Sequence, residues 1–186
     1  MDLSRLIECW GGVKCKQYPD ELARLLVYIY NNKHKINSYL EVGIENGGTF
    51  FVIDSFLRAV NPKYEGGYGV DVRYRRGSLN MILDYQMAYP DSYIKIVHAN
   101  HVYEWTVPKT FDLCFIDAEH RYHAVLRDYT KYKPFSKIMA FHDIALPMRE
   151  KSTSDLWEEI KTEDSIEILN EDDRFRTPVG IGILNP

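Results

Sequence analysis

Five short apolar runs mark the chain, at 38–42, 68–72, 94–97, 111–116 and 137–141, and each stops at or just before a polar residue: Glu41, Asp71, Asn100, Asp117, and the pair His142 and Asp143. Between the runs the apolar spacing lengthens to that of a helix. Behind Pro19, which suits a first helical turn, Leu22, Leu25, Leu26 and Ile29 recur on one face. A helical stretch over 49–60 ends at Asn61-Pro62, another over 79–87 is stopped by Pro90, and a third carries Tyr122, Val125, Leu126, Tyr129 and Tyr132 on one side as far as Pro134. Strands alternating with helices predict an α/β, doubly wound, mainly parallel sheet with helices on both faces. Ligands of such sheets collect outside the carboxyl ends of the strands, so the polar stops are expected to line one cleft.

The tail departs from this alternation. Ser152 to Asp155 reads as a capping box ahead of a helix bearing Leu156, Trp157 and Ile160. Two further β-type runs, 165–169 and 179–184, flank a polar loop and are expected to form an antiparallel pair at the sheet edge. No linker or repeat divides the 186 residues, which predicts one domain over 1–186 with an irregular leader at 1–18.

Composition narrows the classes. Hydrophobic content of 45% with 27% charged residues describes a folded chain, and the net charge of −4 gives no general attraction for nucleic acid or anionic membranes. Arg73, Arg75 and Arg76 form the one dense basic cluster, read as a solvated loop, with a phosphate contact as the alternative. Neither a signal peptide nor a membrane span is evident, and three cysteines without metal-type spacing suit a reducing compartment, so a cytoplasmic location is expected. Cys114 lies inside an apolar run and is expected in the core. Cys9 and Cys15 flank Trp10-Gly11-Gly12, where a redox role is the weaker alternative.

The turn after the first run reads Glu41-Val42-Gly43-Ile44-Glu45-Asn46-Gly47-Gly48, whose glycines permit tight turning and close approach to a ligand. A dinucleotide fingerprint wants glycine where Glu45 stands, and a carboxylate there repels pyrophosphate. No Gly-Lys-Ser/Thr follows, so a P-loop is absent. Asp71, at the end of the second run, is placed to accept both hydroxyls of a ribose. A ribose-bearing ligand without phosphates fits best, and a dehydrogenase fits poorly.

Taken together, Glu41-x-Gly43-x-x-x-Gly47, Asp71 and Ile116-Asp117-Ala118-Glu119-His120 resemble the class I S-adenosylmethionine-dependent methyltransferases. Phe115 to Tyr122, Phe141-His142-Asp143 and Gly180-Ile181-Gly182-Ile183 are similar to the small cephalosporin-hydroxylase-like and macrocin-type O-methyltransferase family. The resemblance spans 39–184 and implies a Rossmann-like fold with S-adenosylmethionine as cofactor. It implies Gly43 and Gly47 near the methionine part, Asp71 on the ribose, Glu41 acting through the turn or the amino group, and Asn100 and His101 beside the adenine. His98-Ala99-Asn100 stands where many relatives carry a Gly-Asp pair.

By the same resemblance Asp117 and Asp143 fall where metal-dependent relatives hold magnesium, with Glu119 or His142 completing the site. Imidazole would broaden the choice toward manganese, iron or zinc. Without a cation two such carboxylates are expected to repel, raising one pKa. His120, three residues past Asp117, is the candidate general base. The expected partner is a small-molecule acceptor with a sugar or phenolic hydroxyl, and neither nucleic acid nor membrane. The leader, with Trp10 and Tyr18, is placed to cover the acceptor site, which is otherwise open or completed by a second copy in a homo-oligomer. The alternative is a non-catalytic or accessory nucleoside-binding protein of the same fold.

Overall fold

The computed structural model describes residues 15–72, 79–96, 105–170 and 179–185. Helix α1 (Pro19–Asn31) leads into β1 (Tyr39–Val42), α2 (Gly48–Val60), β2 (Gly67–Asp71), α3 (Leu79–Ala88), β3 (Tyr93–Ile96) and β4 (Phe111–Ile116). Then come α4 (Tyr122–Tyr132), β5 (Ser136–His142), α5 (Thr153–Ile160), β6 (Ile166–Ile168) and β7 (Ile181–Leu184). Proline stands in the first turn of α1, where its missing N–H costs nothing. The expected capping box opens α5: the Ser152 backbone N–H donates to Asp155 Oδ2 at 2.8 Å while the Ser152 hydroxyl caps the helix backbone.

The strands form one sheet in the order β3-β2-β1-β4-β5-β7-β6. β1 to β5 run parallel, and β7 is antiparallel to both β5 and β6. The expected C-terminal pair is therefore present, joined to the parallel block through its later member, β7. Every side chain of β1 and β4 is buried, as a parallel sheet covered on both faces requires.

Helices α1, α2 and α3 pack on one face, where Leu22, Leu26, Phe50, Leu57 and Ile82 meet Leu113 and Phe115. Helices α4 and α5 cover the other, where Val125, Tyr132, Leu156 and Trp157 meet Leu40, Met139 and Phe141, with Cys114 in the core as expected. Each such side chain contributes about 1.5–3 kcal/mol on leaving water. Asp54 of α2 is wholly buried and collects donors from Arg58 Nε at 3.0 Å, Tyr64 Oη at 2.6 Å and Ser92 Oγ at 2.7 Å, with Tyr85 Oη as a fourth. That hub fastens the β2–β3 edge to α2.

The chain winds to one side of β1 through β2 and β3 and to the other through β4 and β5. This reversal opens a crevice at the carboxyl ends of β1 and β4. No helix among the described residues is long and apolar enough to cross a membrane.

Candidate active site

The crevice is a cavity of about 970 Å³ whose lining includes Glu41, Gly43, Asp71, Asp117, His120, His142 and Asp143. Four of the five polar strand stops thus meet, as the apolar pattern predicted. Asn100 and His101 lie outside the described residues, as do His98 and the basic cluster at Arg73, Arg75 and Arg76.

Gly43 and Gly47 take φ of +91° and +86°, a region that L side chains avoid. A Cβ on Gly43 would stand 2.2 Å from the backbone oxygen of Asp117, so glycine lets the turn after β1 touch the end of β4. Asp117 N donates to Val42 O at 2.9 Å across that contact, and Gly43 N donates to Val70 O at 2.8 Å on the β2 side. Asp71 Oδ2 accepts from Glu45 N at 2.7 Å, and Oδ1 from Val72 N at 2.6 Å, which fixes its carboxylate beside the turn. Glu41 is buried beneath, accepting from Tyr39 Oη; burial pushes its carboxyl well above the usual range, the Tyr39 bond opposes this, and the nearby Asp117 and Asp71 charges add to it.

Across the crevice, His120 Nδ1 lies 2.6 Å from Asp143 Oδ2. That bond raises the imidazole pKa against the opposing effect of burial. His142 Nδ1 lies 3.3 Å from both Asp117 Oδ1 and Asp143 Oδ1. Burial lowers the His142 pKa, but Asp117, Asp143 and Glu21 outweigh it and leave the ring well above its ordinary value. The expected rise in a carboxylate pKa is not found at Asp143. Burial favours it, yet hydrogen bonds from His120 and His142 hold Asp143 well below the usual range, because two imidazoles supply the positive charge. Asp143 and Glu45 are the non-glycine residues at positive φ among those described, and both face this crevice. Such backbone costs of roughly 1–3 kcal/mol each concentrate at functional sites.

Asp117, His120 and Asp143 each offer one ligand atom, all within 4.8 Å of one another. Two carboxylates and an imidazole fit a divalent cation, and loading it would displace the proton shared by His120 and Asp143. His142, expected among the ligands, touches both carboxylates from the side.

Four participants escaped the sequence reading. Gln17 Nε2 donates to Asp117 Oδ2 at 2.5 Å, and Lys16 Nζ pairs with Glu45 Oε1 at 2.5 Å, so the segment before α1 straps the turn to the end of β4. Glu21, fully buried in α1, accepts from Gly180 N at 3.0 Å and faces His142 Nε2 at 3.6 Å. Asp128 of α4 also lines the cavity. Glu21 and Asp128 sit in register with the buried stripes of their helices, four residues from Leu25 and Tyr132, and a carboxylate in an apolar stripe is the signal that would have found them.

No protein-family model matches the chain, and no curated protein matches it. Solved structures do. An O-methyltransferase from Bacillus cereus in complex with S-adenosylhomocysteine superposes with a TM-score of 0.64 at 10% identity, over 91% of this chain and 82% of that one. The O-methyltransferase TomG from Streptomyces achromogenes, in complex with S-adenosylmethionine, gives 0.62 at 9% identity over 91% and 82%. An rRNA methylase from Streptococcus thermophilus gives 0.59 at 11% identity over 92% and 98%. The chain has the Rossmann-like fold of the class I S-adenosylmethionine-dependent methyltransferases.

Proposed function

We propose that the chain is an S-adenosylmethionine-dependent methyltransferase acting on a hydroxyl of a small molecule, as a single cytoplasmic domain. The observation that carries this reading is one cavity lined both by Asp71 with the glycine turn and by Asp117, His120 and Asp143. Solved neighbours of the same fold holding S-adenosylmethionine or its demethylated product support the nucleoside half.

S-adenosylmethionine would supply a methyl already activated on a sulfonium, so the chain needs to align an acceptor and take one proton. In this reading Asp71 accepts from the ribose hydroxyls, Gly43 and Gly47 shape the turn around the methionine part, Glu41 supports that turn, and Asn100 and His101 stand beside the base. Asp143 fixes the His120 ring through Nδ1, which leaves Nε2 to take the acceptor proton. The cofactor would supply the methyl group and take back the carbon–sulfur electron pair, while His120 would hold the proton that the acceptor hydroxyl gives up. Asp117 and Asp143, with His142, would hold magnesium or another divalent cation, whose contribution is a lowered pKa of the acceptor hydroxyl.

A small acceptor is favoured over RNA by the net charge of −4, which gives no general attraction for a polyanion. The accessory nucleoside-binding reading draws on the same cluster, because His120 and His142 already satisfy its carboxylates without a cation. Incubation with methyl-labelled S-adenosylmethionine, with sugar and phenol pools in one arm and total RNA in the other, separates these. Label entering a small molecule and lost in Asp71→Ala and His120→Ala supports the proposal. Label entering RNA replaces the acceptor class, and tight product binding without transfer in either arm supports the accessory reading.

A further inference from the structure

Glu21 is a carboxylate to which the chemistry above assigns no work. It lies fully buried in α1, away from the strand ends that build the cleft, and its Oε1 accepts from Gly180 N at 3.0 Å. Its other oxygen, Oε2, is buried with no hydrogen-bond partner among the described residues. The same holds for the atom it faces, His142 Nε2, 3.6 Å away. Buried polar atoms are ordinarily paired, so two unpaired ones facing each other call for a reason.

The far side of the His142 ring supplies one. His142 Nδ1 lies 3.3 Å from Asp117 Oδ1 and 3.3 Å from Asp143 Oδ1. Those separations are longer than ordinary hydrogen bonds. They match neighbouring ligands of one cation, which at about 2.0–2.2 Å from the ion stand about 3–3.5 Å from each other. The outward atom of each carboxylate is held from outside this set: Asp117 Oδ2 accepts from Gln17 Nε2 at 2.5 Å, and Asp143 Oδ2 lies 2.6 Å from His120 Nδ1. Glu21 stands in the corresponding place behind His142, as carboxylates do behind imidazoles that bind metals.

Two imidazoles compete for the third ligand place, and their partners decide between them. Asp117, His120 and Asp143 offer atoms within 4.8 Å of one another, but His120 commits Nδ1 to Asp143 Oδ2 and keeps Nε2 for the acceptor proton. His142 meets the inward oxygens of both carboxylates at equal distance, with the Phe115 ring edge-on to it at 6.4 Å.

We propose that Glu21 is a positioning residue: it orients His142 as the imidazole ligand of the cation site and thereby makes the site favour manganese, iron or zinc over magnesium. This rests on the divalent-cation part of the reading above. A ring that ligates through Nδ1 carries its proton on Nε2, and Glu21 Oε2 is the acceptor waiting for it. Imidazole suits the borderline metals, whereas a magnesium site is built from oxygen.

The test loads folded wild type, Glu21→Gln, His142→Gln and His120→Gln with manganese or magnesium, reading affinity by calorimetry and directly bound ring nitrogen by pulsed electron paramagnetic resonance on manganese. In Glu21→Gln the amide oxygen can still accept from Gly180 N, which turns the NH₂ toward His142 Nε2 and removes the acceptor there. Glu21→Gln should therefore lose about 10- to 100-fold in manganese affinity, change magnesium affinity by under about threefold, and weaken the ¹⁴N coupling. The coupling should vanish in His142→Gln and persist in His120→Gln. Manganese affinity and coupling unchanged in Glu21→Gln, or both metals weakened equally, overturns the assignment and leaves the cation reading in place. Coupling lost in His120→Gln and kept in His142→Gln also overturns it, independently of how Glu21→Gln folds. Folded wild type that binds neither metal overturns both readings.

Discussion

Replacing Gly43 with alanine perturbs the point on which the cleft is built, and its cost can be worked from the structure. The new Cβ would lie 2.2 Å from the Asp117 carbonyl oxygen and 2.5 Å from the Ala118 Cα, both main-chain atoms that cannot swing aside. The backbone at φ of +91° adds a conformational penalty of about 1–2 kcal/mol for any L side chain. Relieving the contact means parting the turn after β1 from the end of β4. The bond from Asp117 N to Val42 O across that seam would then stretch, and the bond from Gly43 N to Val70 O on the β2 side would be distorted as the turn moves. Each loses about 1 kcal/mol, and more if its groups stay buried and unpaired. Gly43→Ala should therefore cost about 3–5 kcal/mol, which in a domain of this size lowers the thermal midpoint by roughly 10 °C or more. Affinity for S-adenosylhomocysteine should fall with it. At Gly47 the obstacle is the Phe51 ring at 2.6 Å, a side chain that can shift, so Gly47→Ala should lose less. Circular dichroism melting and calorimetry read both quantities. Wild-type stability and affinity in Gly43→Ala would refute the reasoning, since they would mean the turn and the β4 end separate at no cost.

Removing the Asp54 carboxylate takes away the acceptor of the Tyr64 and Ser92 hydroxyls and of Arg58 Nε. Asp54→Ala should accordingly lose about 3–5 kcal/mol in urea unfolding, and a loss under 1 kcal/mol would contradict the hub. Asp128 should make stability depend on pH with a definite sign. Its folded pKa of about 6 lies above the ordinary 3.8, so the stability contributed by the protonated form is full below pH 4 and is lost as pH rises through 6. Asp128→Asn should therefore gain on wild type between pH 4 and 7, by up to about 3 kcal/mol, and a difference independent of pH would contradict this. Glu21→Leu removes the acceptor for Gly180 N and the carboxylate facing His142. It should cost about 1–3 kcal/mol, with Glu21→Gln milder because it keeps an acceptor for Gly180 N; equal losses would indicate that charge toward His142 dominates.

Much of this architecture is written in local pattern. Parallel strands buried on both faces must be short and apolar, and a polar residue where each run ends can only face the crevice. Glu41, Asp71, Asp117 and Asp143 were legible for that reason. The glycine turn was legible because φ near +90° excludes other residues at Gly43 and Gly47. The place of β7 between β5 and β6 was not, because the runs at 165–169 and 179–184 pair equally well whichever of them meets β5. Glu21 and Asp128 stand on the apolar stripes of their helices, a signal whose meaning shows only when packing of α1 and α4 closes over them. Gln17 reaches Asp117 across 100 residues of sequence, a contact that no local spacing encodes. The electrostatics also depended on tertiary contact. His120 and His142 together lower the Asp143 pKa, whereas the carboxylates considered alone predicted a rise.

The most direct measurement is a calorimetric titration of S-adenosylhomocysteine into wild type and Asp71→Ala, with thermal midpoints confirming that both are folded. Saturable one-to-one binding by wild type, weakened at least about tenfold in Asp71→Ala, is the predicted result. Folded wild type that binds nothing, or equal affinity in the two proteins, would contradict a nucleoside cleft organised around Asp71.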